Sequence, residues 1–188
     1  MNISFGQKIP MYHCSVQNTK TKEFVPATVY EYDCCDFFDA ENIDKLPGEW
    51  IFKPEIFFWA KDKYLFPKLF PEVRIFSLET SNNETIGLMQ FSNQENYCNV
   101  GLLENMEKSG HKYVGTALLN AVANETLKNG YETLKVAQPV PEALDFYIDS
   151  CGFKQTKAKE VSMTKKDMLD FLKRTKEKTN SQLVDLKG

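Results

Sequence analysis

Residues Gly110–Gly130 read GHKYVGTALLNAVANETLKNG, a short loop of Gly, His, Lys and Tyr that runs straight into an amphipathic helix. Val114, Ala117, Leu118, Ala121 and Val122 recur at the i, i+3, i+4, i+7, i+8 spacing that gives a helix one buried face. Asn129-Gly130 marks its end, the glycine supplying the left-handed residue that follows many helix C-termini. The first turn holds no Asp or Glu. Its unpaired N–H groups and the positive end of the helix dipole are therefore left for an external anion. Gly115, Thr116 and Ala117 are small enough to let a phosphate reach that backbone.

Outward from this stretch the chain alternates between two periods. Upstream, Val73–Glu79 (VRIFSLE), Thr85–Phe91 (TIGLMQF) and Tyr97–Leu103 (YCNVGLL) read as three strands joined by polar turns, an antiparallel meander. Downstream, Thr133–Ala137 (TLKVA) is a further strand, and the strand–helix–strand unit so formed is expected to be parallel and right-handed. Pro141 opens a helix, PEALDFYIDS, with Ala143, Leu144, Tyr147 and Ile148 on one stripe and Gly152 as its C-cap. Glu160–Met163 suits a last strand. Thr164 is then an N-cap with Asp167 three residues on, opening TKKDMLDFLKRTKEK, whose six basic residues flank an apolar stripe of Met168, Leu169 and Leu172.

The order of these elements, the tail Val114-Gly115-Thr116-Ala117-Leu118-Leu119 and the segment PEALDFYIDSCGF resemble the GNAT family of acetyl-CoA-dependent N-acyltransferases. The resemblance covers about residues 73–155. It implies an α+β (mixed α/β) GNAT-like fold, a central mixed, mostly antiparallel sheet flanked by helices, over residues 23–163. It also implies acetyl-CoA as cofactor and acetyl transfer to a primary amine, either a small molecule or a protein lysine or N-terminus.

In that family a loop reading roughly Arg-Gly-x-Gly-x-Gly cradles the CoA pyrophosphate. Here Gly115 takes the last glycine, Gly110 stands where Arg or Gln is usual, and His111 and Tyr113 stand where glycines are usual. An alternative register puts Lys112 at the Arg/Gln position. The resemblance thus assigns cofactor binding to Gly110, His111, Lys112, Tyr113, Val114, Gly115 and Thr116. Leu103 and Asn105 join them from the strand edge, Leu102 to Met106, where family members splay the sheet and bond the pantetheine amides.

Tyr147 falls in the family pattern Ala-x-x-(Phe/Leu)-Tyr as the acid that protonates the leaving thiolate, with a core tyrosine as the bland reading. Four residues, Ile148 to Cys151, separate it from Gly-Phe where the family usually has three, so this helix is expected to be one residue longer or rotated. The family's glutamate base falls on Asn99, which cannot take a proton. Glu104 is the nearby substitute, acting through water, or else a surface carboxylate. An acyl-CoA-binding regulatory or interaction module without turnover is the rival reading.

Composition sets the outer limits. A chain of 188 residues defaults to one domain with a single sizeable core. Net charge −3 and pI near 5.5 argue against a general nucleic-acid binder. Five cysteines without a Cys-x-x-Cys and only two histidines give no disulfide framework or metal site and suit a reducing cytoplasm. With no signal peptide and no long apolar run, the reading is cytoplasmic, monomer or homodimer, with no membrane or nucleic-acid partner.

Residues 1–22 read as a loose lead-in, and 164–188 as a basic amphipathic helix with a frayed tail from 179. Phe24–Tyr32 reads as a strand weakened by Pro26. Six carboxylates between Glu31 and Asp44 form a solvated acidic face, or else an attraction for a cationic amine. Trp50–Phe70 carries eight aromatics around a helix from about Pro54 to Phe66, most of them expected in the core, and the family resemblance, in which early helices wall the acceptor site, implies one spare aromatic as such a wall.

Overall fold

In a computed structural model of the chain, which describes residues 8–32, 37–66, 72–106, 109–180 and 182–183, the strand-period segments pair into one continuous sheet. The elements are β1 (Lys8–Asn18), β2 (Phe24–Tyr32), α1 (Phe37–Asp44), α2 (Lys53–Leu65), β3 (Val73–Thr80), β4 (Thr85–Asn93) and β5 (Tyr97–Asn105). They are followed by β6 (His111–Lys112), α3 (Val114–Lys128), β7 (Thr133–Ala137), β8 (Lys154–Lys157), β9 (Glu160–Thr164), α4 (Lys165–Thr179) and β10 (Gln182–Leu183). The sheet order is β10-β1-β2-β3-β4-β5-β7-β9-β8, with β6 also on β1. All pairings are antiparallel except β5 with β7. The expected mixed, mostly antiparallel sheet flanked by helices is what forms.

Helices cover both faces, so β3 and β4 at the centre are buried almost throughout. One face packs Phe76, Met89, Phe91 and Val100 against Leu118 and Val122 of α3 and Met168 and Phe171 of α4. The other packs Ile75 and Leu88 against Ile43 of α1 and Ile56 and Ala60 of α2. Helix α4 is held to α3 by a buried chain of hydrogen bonds: Asn120 Nδ2 donates to Thr179 (2.7 Å), and Thr175 donates to Asn120 Oδ1 (2.8 Å).

Its start has the predicted cap. Thr164 and Asp167 form a reciprocal capping box, and Lys154 Nζ donates to the same carboxylate at 2.6 Å. The Lys154 bond foremost, then those from Thr164, hold the Asp167 carboxyl down to about 2. A depressed acid stabilises the fold above its unfolded pKa and loses that contribution as pH falls through its folded value. Thr164→Ala should cost about 1 kcal/mol at neutral pH. In chemical denaturation the difference between Asp167→Asn and the parent should shrink between about pH 4 and pH 2. A pH-independent difference would overturn the assignment.

A charged cluster ties the first-named core to the sheet. Arg74 donates from Nε and Nη2 to the two carboxylate oxygens of Glu31, each at 2.7 Å, and from Nη1 to Glu125 of α3 at 2.7 Å. Tyr12 donates to the other Glu125 oxygen at 2.9 Å. The guanidinium lies over the rings of Phe76 and Phe91. Glu31 is therefore a structural partner rather than part of a free acidic face, and Glu41 pairs with Lys45. Asp33, Asp36 and the Asp39 side chain lie outside the described residues.

Four expectations are corrected. Residues 8–18 are not a loose lead-in but strand β1, with Tyr12, Cys14 and Val16 buried. Tyr12 and His13 pair with β10, so 182–183 are not frayed either. Most described aromatics of 50–66 are not in the core: Phe58, Trp59, Tyr64 and Phe66 are exposed, because Ile56 and Ala60 are the α2 residues that meet the sheet. The helix after Pro141 is irregular, starting as a 3-10 turn (Pro141–Ala143) and ending as a π-helix (Phe146–Cys151). The wider π turns take up the one residue by which this segment exceeds the family spacing.

Candidate active site

Helix α3 begins against the sheet at Gly87, where an added Cβ would lie 2.5 Å from Val114 Cγ1. Only a bare glycine lets the first turn come this close. Tyr113 is the N-cap residue, left-handed (φ 69°), with no side-chain cap and no acid in the first turn, so the sequence reading of an open helix N-terminus holds. The left-handed backbone is one that glycine adopts freely and other residues at a cost of about 1 kcal/mol. It falls where the resembled motif has glycine, which supports the register with Gly115 as last glycine. The Tyr113 ring stacks parallel on Phe24, centroids 6.2 Å apart.

The loop before α3 is not free-standing. His111 and Lys112 form β6 against Asn18 and Gln17 of β1, and Gly110 O accepts from Thr19 N at 2.8 Å. The β1–β2 hairpin is thus the support of the loop before α3.

A cavity of about 510 Å³ opens at this helix end. Asn105, His111, Lys112, Tyr113, Val114, Gly115 and Thr116 line it, seven of the residues expected there. It is completed from elements the sequence did not connect to it: Phe146, Asp149 and Ser150 of the π-helix and Arg174, Thr175 and Lys178 of α4. Only the i, i+4 spacing of Arg174 and Lys178 was a signal for the latter. Gly115 is pressed close, since a Cβ there would lie 3.0 Å from Phe146 Cζ. His111 Nδ1 is buried without a hydrogen-bond partner.

Strand β5 leads into this cavity and carries a bulge. Gln90 pairs with Leu102 but Phe91 pairs with Val100, leaving Gly101 as the extra residue. Cys98 and Val100 face α3. The extra residue shifts the alternation, so Leu103 packs on the α3 side and Asn105 reaches the cavity, while Leu102 packs on the α2 side. The parallel pairing with β7 stops at Val100↔Val136, and Leu102–Asn105 continue along β4 alone. The splayed edge implied by the resemblance is therefore present.

Glu104 points the other way. It is 7% exposed, and its carboxylate accepts from the backbone N–H groups of Ile51 and of Phe52 (2.7 Å). It holds the segment leading into α2, and it is neither a surface group nor on the cavity side. Tyr147 is 5% exposed, its ring edge-on to Phe146 and Phe153, 5.2 and 5.5 Å between centroids. Burial raises its pKa above that of a free phenol, so it is protonated at neutral pH. It neighbours the cavity through Phe146 and does not line it.

No protein-family model matches the sequence, and no curated protein matches it in sequence. Solved structures do match in fold. A protein assigned to the GNAT acetyltransferase family from Desulfovibrio desulfuricans superposes with TM-score 0.56 at 10% identity, over 73% of this chain and 98% of its own. The fold is that of the GNAT acetyltransferases. The same GNAT fold links the chain to the spermidine/spermine N-acetyltransferase SpeG from Vibrio cholerae (TM-score 0.54, 15% identity, 77% of this chain and 95% of that one). A Tyr-to-Phe mutant of the toxin AtaT bound to acetyl-CoA and the C-terminus of the antitoxin AtaR also shares it (0.55, 13%, 78% and 98%). A KacTA–DNA complex with this GNAT fold (0.55, 15%, 79% and 99%) shows that it occurs in nucleic-acid assemblies. The expected absence of a nucleic-acid partner therefore gains no support from the fold. Among the described residues, no helix is long and apolar enough to cross a membrane.

Proposed function

We propose that this chain binds acetyl-CoA in the α3 cavity and transfers the acetyl group to a primary amine. The observation that carries the reading is the cavity itself: an uncapped helix N-terminus, a glycine with little room for a side chain, an unpartnered buried imidazole nitrogen and cationic walls, at the end of a splayed strand. These groups fit a pyrophosphate on the amides of Val114–Thr116 and a pantetheine chain on the free edge of Leu102–Asn105. Acetyl-CoA supplies the reactive thioester.

In this reading Tyr147, protonated at neutral pH, passes its proton to the departing sulfur and regains one from the attacking nitrogen as the amide forms. Glu104 keeps the α2 entry in place, and the amine sheds its proton to solvent. The other structures of this fold named for acetyltransfer or acetyl-CoA support the same chemistry. SpeG acts on polyamines, and for this chain a cationic small molecule is one acceptor class, with a protein amine as the other.

Tyr147→Phe should lower kcat by about 10²-fold or more while leaving acetyl-CoA affinity within about twofold. An unchanged kcat removes Tyr147 from the acid role. The function is tested by calorimetric titration with acetyl-CoA, followed by mass spectrometry of a panel of polyamines and amine-bearing peptides. An acetylated product supports transfer. Binding without product favours the second reading, an acyl-CoA-binding module, which the occupied Glu104 carboxylate and Asn99 on the base position favour.

A further inference from the structure

Helix α4 lies outside the stretch that resembles the family, yet it forms one wall of the cavity. Arg174, Thr175 and Lys178 face it from a single side of the helix, at i, i+1 and i+4. Two of the three are anchored. Thr175 is tied to Asn120 of α3 at 2.8 Å, and Arg174 Nη2 donates to Cys151 O at 2.7 Å, the last carbonyl of the π-helix. Residues four apart on a helix lie about 5–6 Å apart at Cβ, a span that two cations can close on a single phosphate.

The charge of the lining exceeds what a pyrophosphate diester needs. Lys112, Arg174 and Lys178 stand against one carboxylate, Asp149, and the α3 N-terminus adds its own partial positive charge. The α3 amides suffice for a diester of two negative charges. A phosphomonoester adds about −1.5 to −2 at neutral pH. The two α4 cations line the same cavity as those amides, which leaves them for a second phosphate of the same ligand.

We propose that Lys178 and Arg174 of α4 bind the 3′-phosphate of CoA, making this chain selective for CoA over dephospho-CoA. The inference rests on the cavity being an acyl-CoA site. It gives the C-terminal helix a recognition role in addition to packing. Lys178 is the residue to test, since its side chain is exposed and removal of its charge leaves the core intact.

The experiment is calorimetric titration of the full chain with CoA and with dephospho-CoA, for the parent, Lys178→Gln and Lys176→Gln. Lys176 is an exposed cation on the same helix that does not line this cavity. The parent should bind CoA about tenfold more tightly than dephospho-CoA. Lys178→Gln should weaken CoA by about five- to tenfold and leave dephospho-CoA within about twofold, while Lys176→Gln should preserve the parent's ratio. Equal parental affinity for the two ligands overturns the inference alone, as does a Lys178→Gln loss shared by both. Failure of both ligands to bind the parent overturns the acyl-CoA reading and this inference with it.

Discussion

Arg74→Ala is expected to destabilise the protein by about 3–5 kcal/mol, the cost of breaking a buried ion pair by removing one partner. The guanidinium bridges Glu31 on β2 and Glu125 on α3, and its loss leaves both carboxylates largely shielded from water. Burial by itself would lower the Arg74 pKa, and the bonds and charges of Glu31 and Glu125 more than reverse this, so the group is charged at any working pH. Urea denaturation should show a lower midpoint with an unchanged slope. Replacing Arg74, Glu31 and Glu125 together by apolar residues of similar volume should cost much less, because no charge is then stranded. A loss under about 1 kcal/mol for Arg74→Ala would mean that water reaches the cluster and the bonds count as surface pairs.

The second large effect is on binding. Gly115→Asp should reduce acetyl-CoA affinity by more than about 100-fold, since the new carboxylate would stand beside the α3 amides where the pyrophosphate must sit. The same substitution places an acid in the first turn of a helix that has none, which favours the helix dipole by about 0.3–1 kcal/mol. A collapse of affinity with thermal stability kept is therefore the signature of an occupied anion site rather than of a misfolded chain. Gly115→Ala should give a smaller loss, since a methyl 3.0 Å from Phe146 Cζ asks the ring to yield by a few tenths of an ångström. Retained affinity in Gly115→Asp would place the phosphates elsewhere.

The helix that decides the fold was legible because its apolar residues keep the helical period for four turns and its ends carry unambiguous punctuation. The meander was legible for a similar reason: VRIFSLE and TIGLMQF sit at the sheet centre, buried on both faces, and so read as apolar runs. Strand β1 was missed although Tyr12, Cys14 and Val16 alternate with His13 and Ser15. Pro10 and a polar surround hid a period of only three repeats, and the pairing that stabilises β1 comes from residues as distant as 182–183. The loop before α3 was found by its small residues and its helix. The wall from α4 was not, because Arg174 and Lys178 reach the cavity only after α4 has packed on α3, and apart from their i, i+4 spacing nothing local in TKKDMLDFLKRTKEK says which of its basic residues face inward. Glu104 was misread for a related reason. A glutamate near a strand end looks solvated until the backbone amides of residues 51 and 52 arrive to occupy it.

The bulge at Gly101 makes the cavity depend on a count. Side chains along a strand obey an odd–even rule, and one supernumerary residue inverts it for everything downstream. Asn105 therefore meets the cavity side and Glu104 the α2 side by parity rather than by any preference of either residue. Absorbing Gly101 into the ladder would exchange the two faces from Leu102 onward, sending a carboxylate toward the cavity and an amide toward the α2 entry, whereas deleting Gly101 would remove the bulge and leave both faces as they are. For related chains, the informative comparison along this strand is then whether a residue is bulged out between the β5–β7 pairing and the helix. Residue identity at any single position tells less.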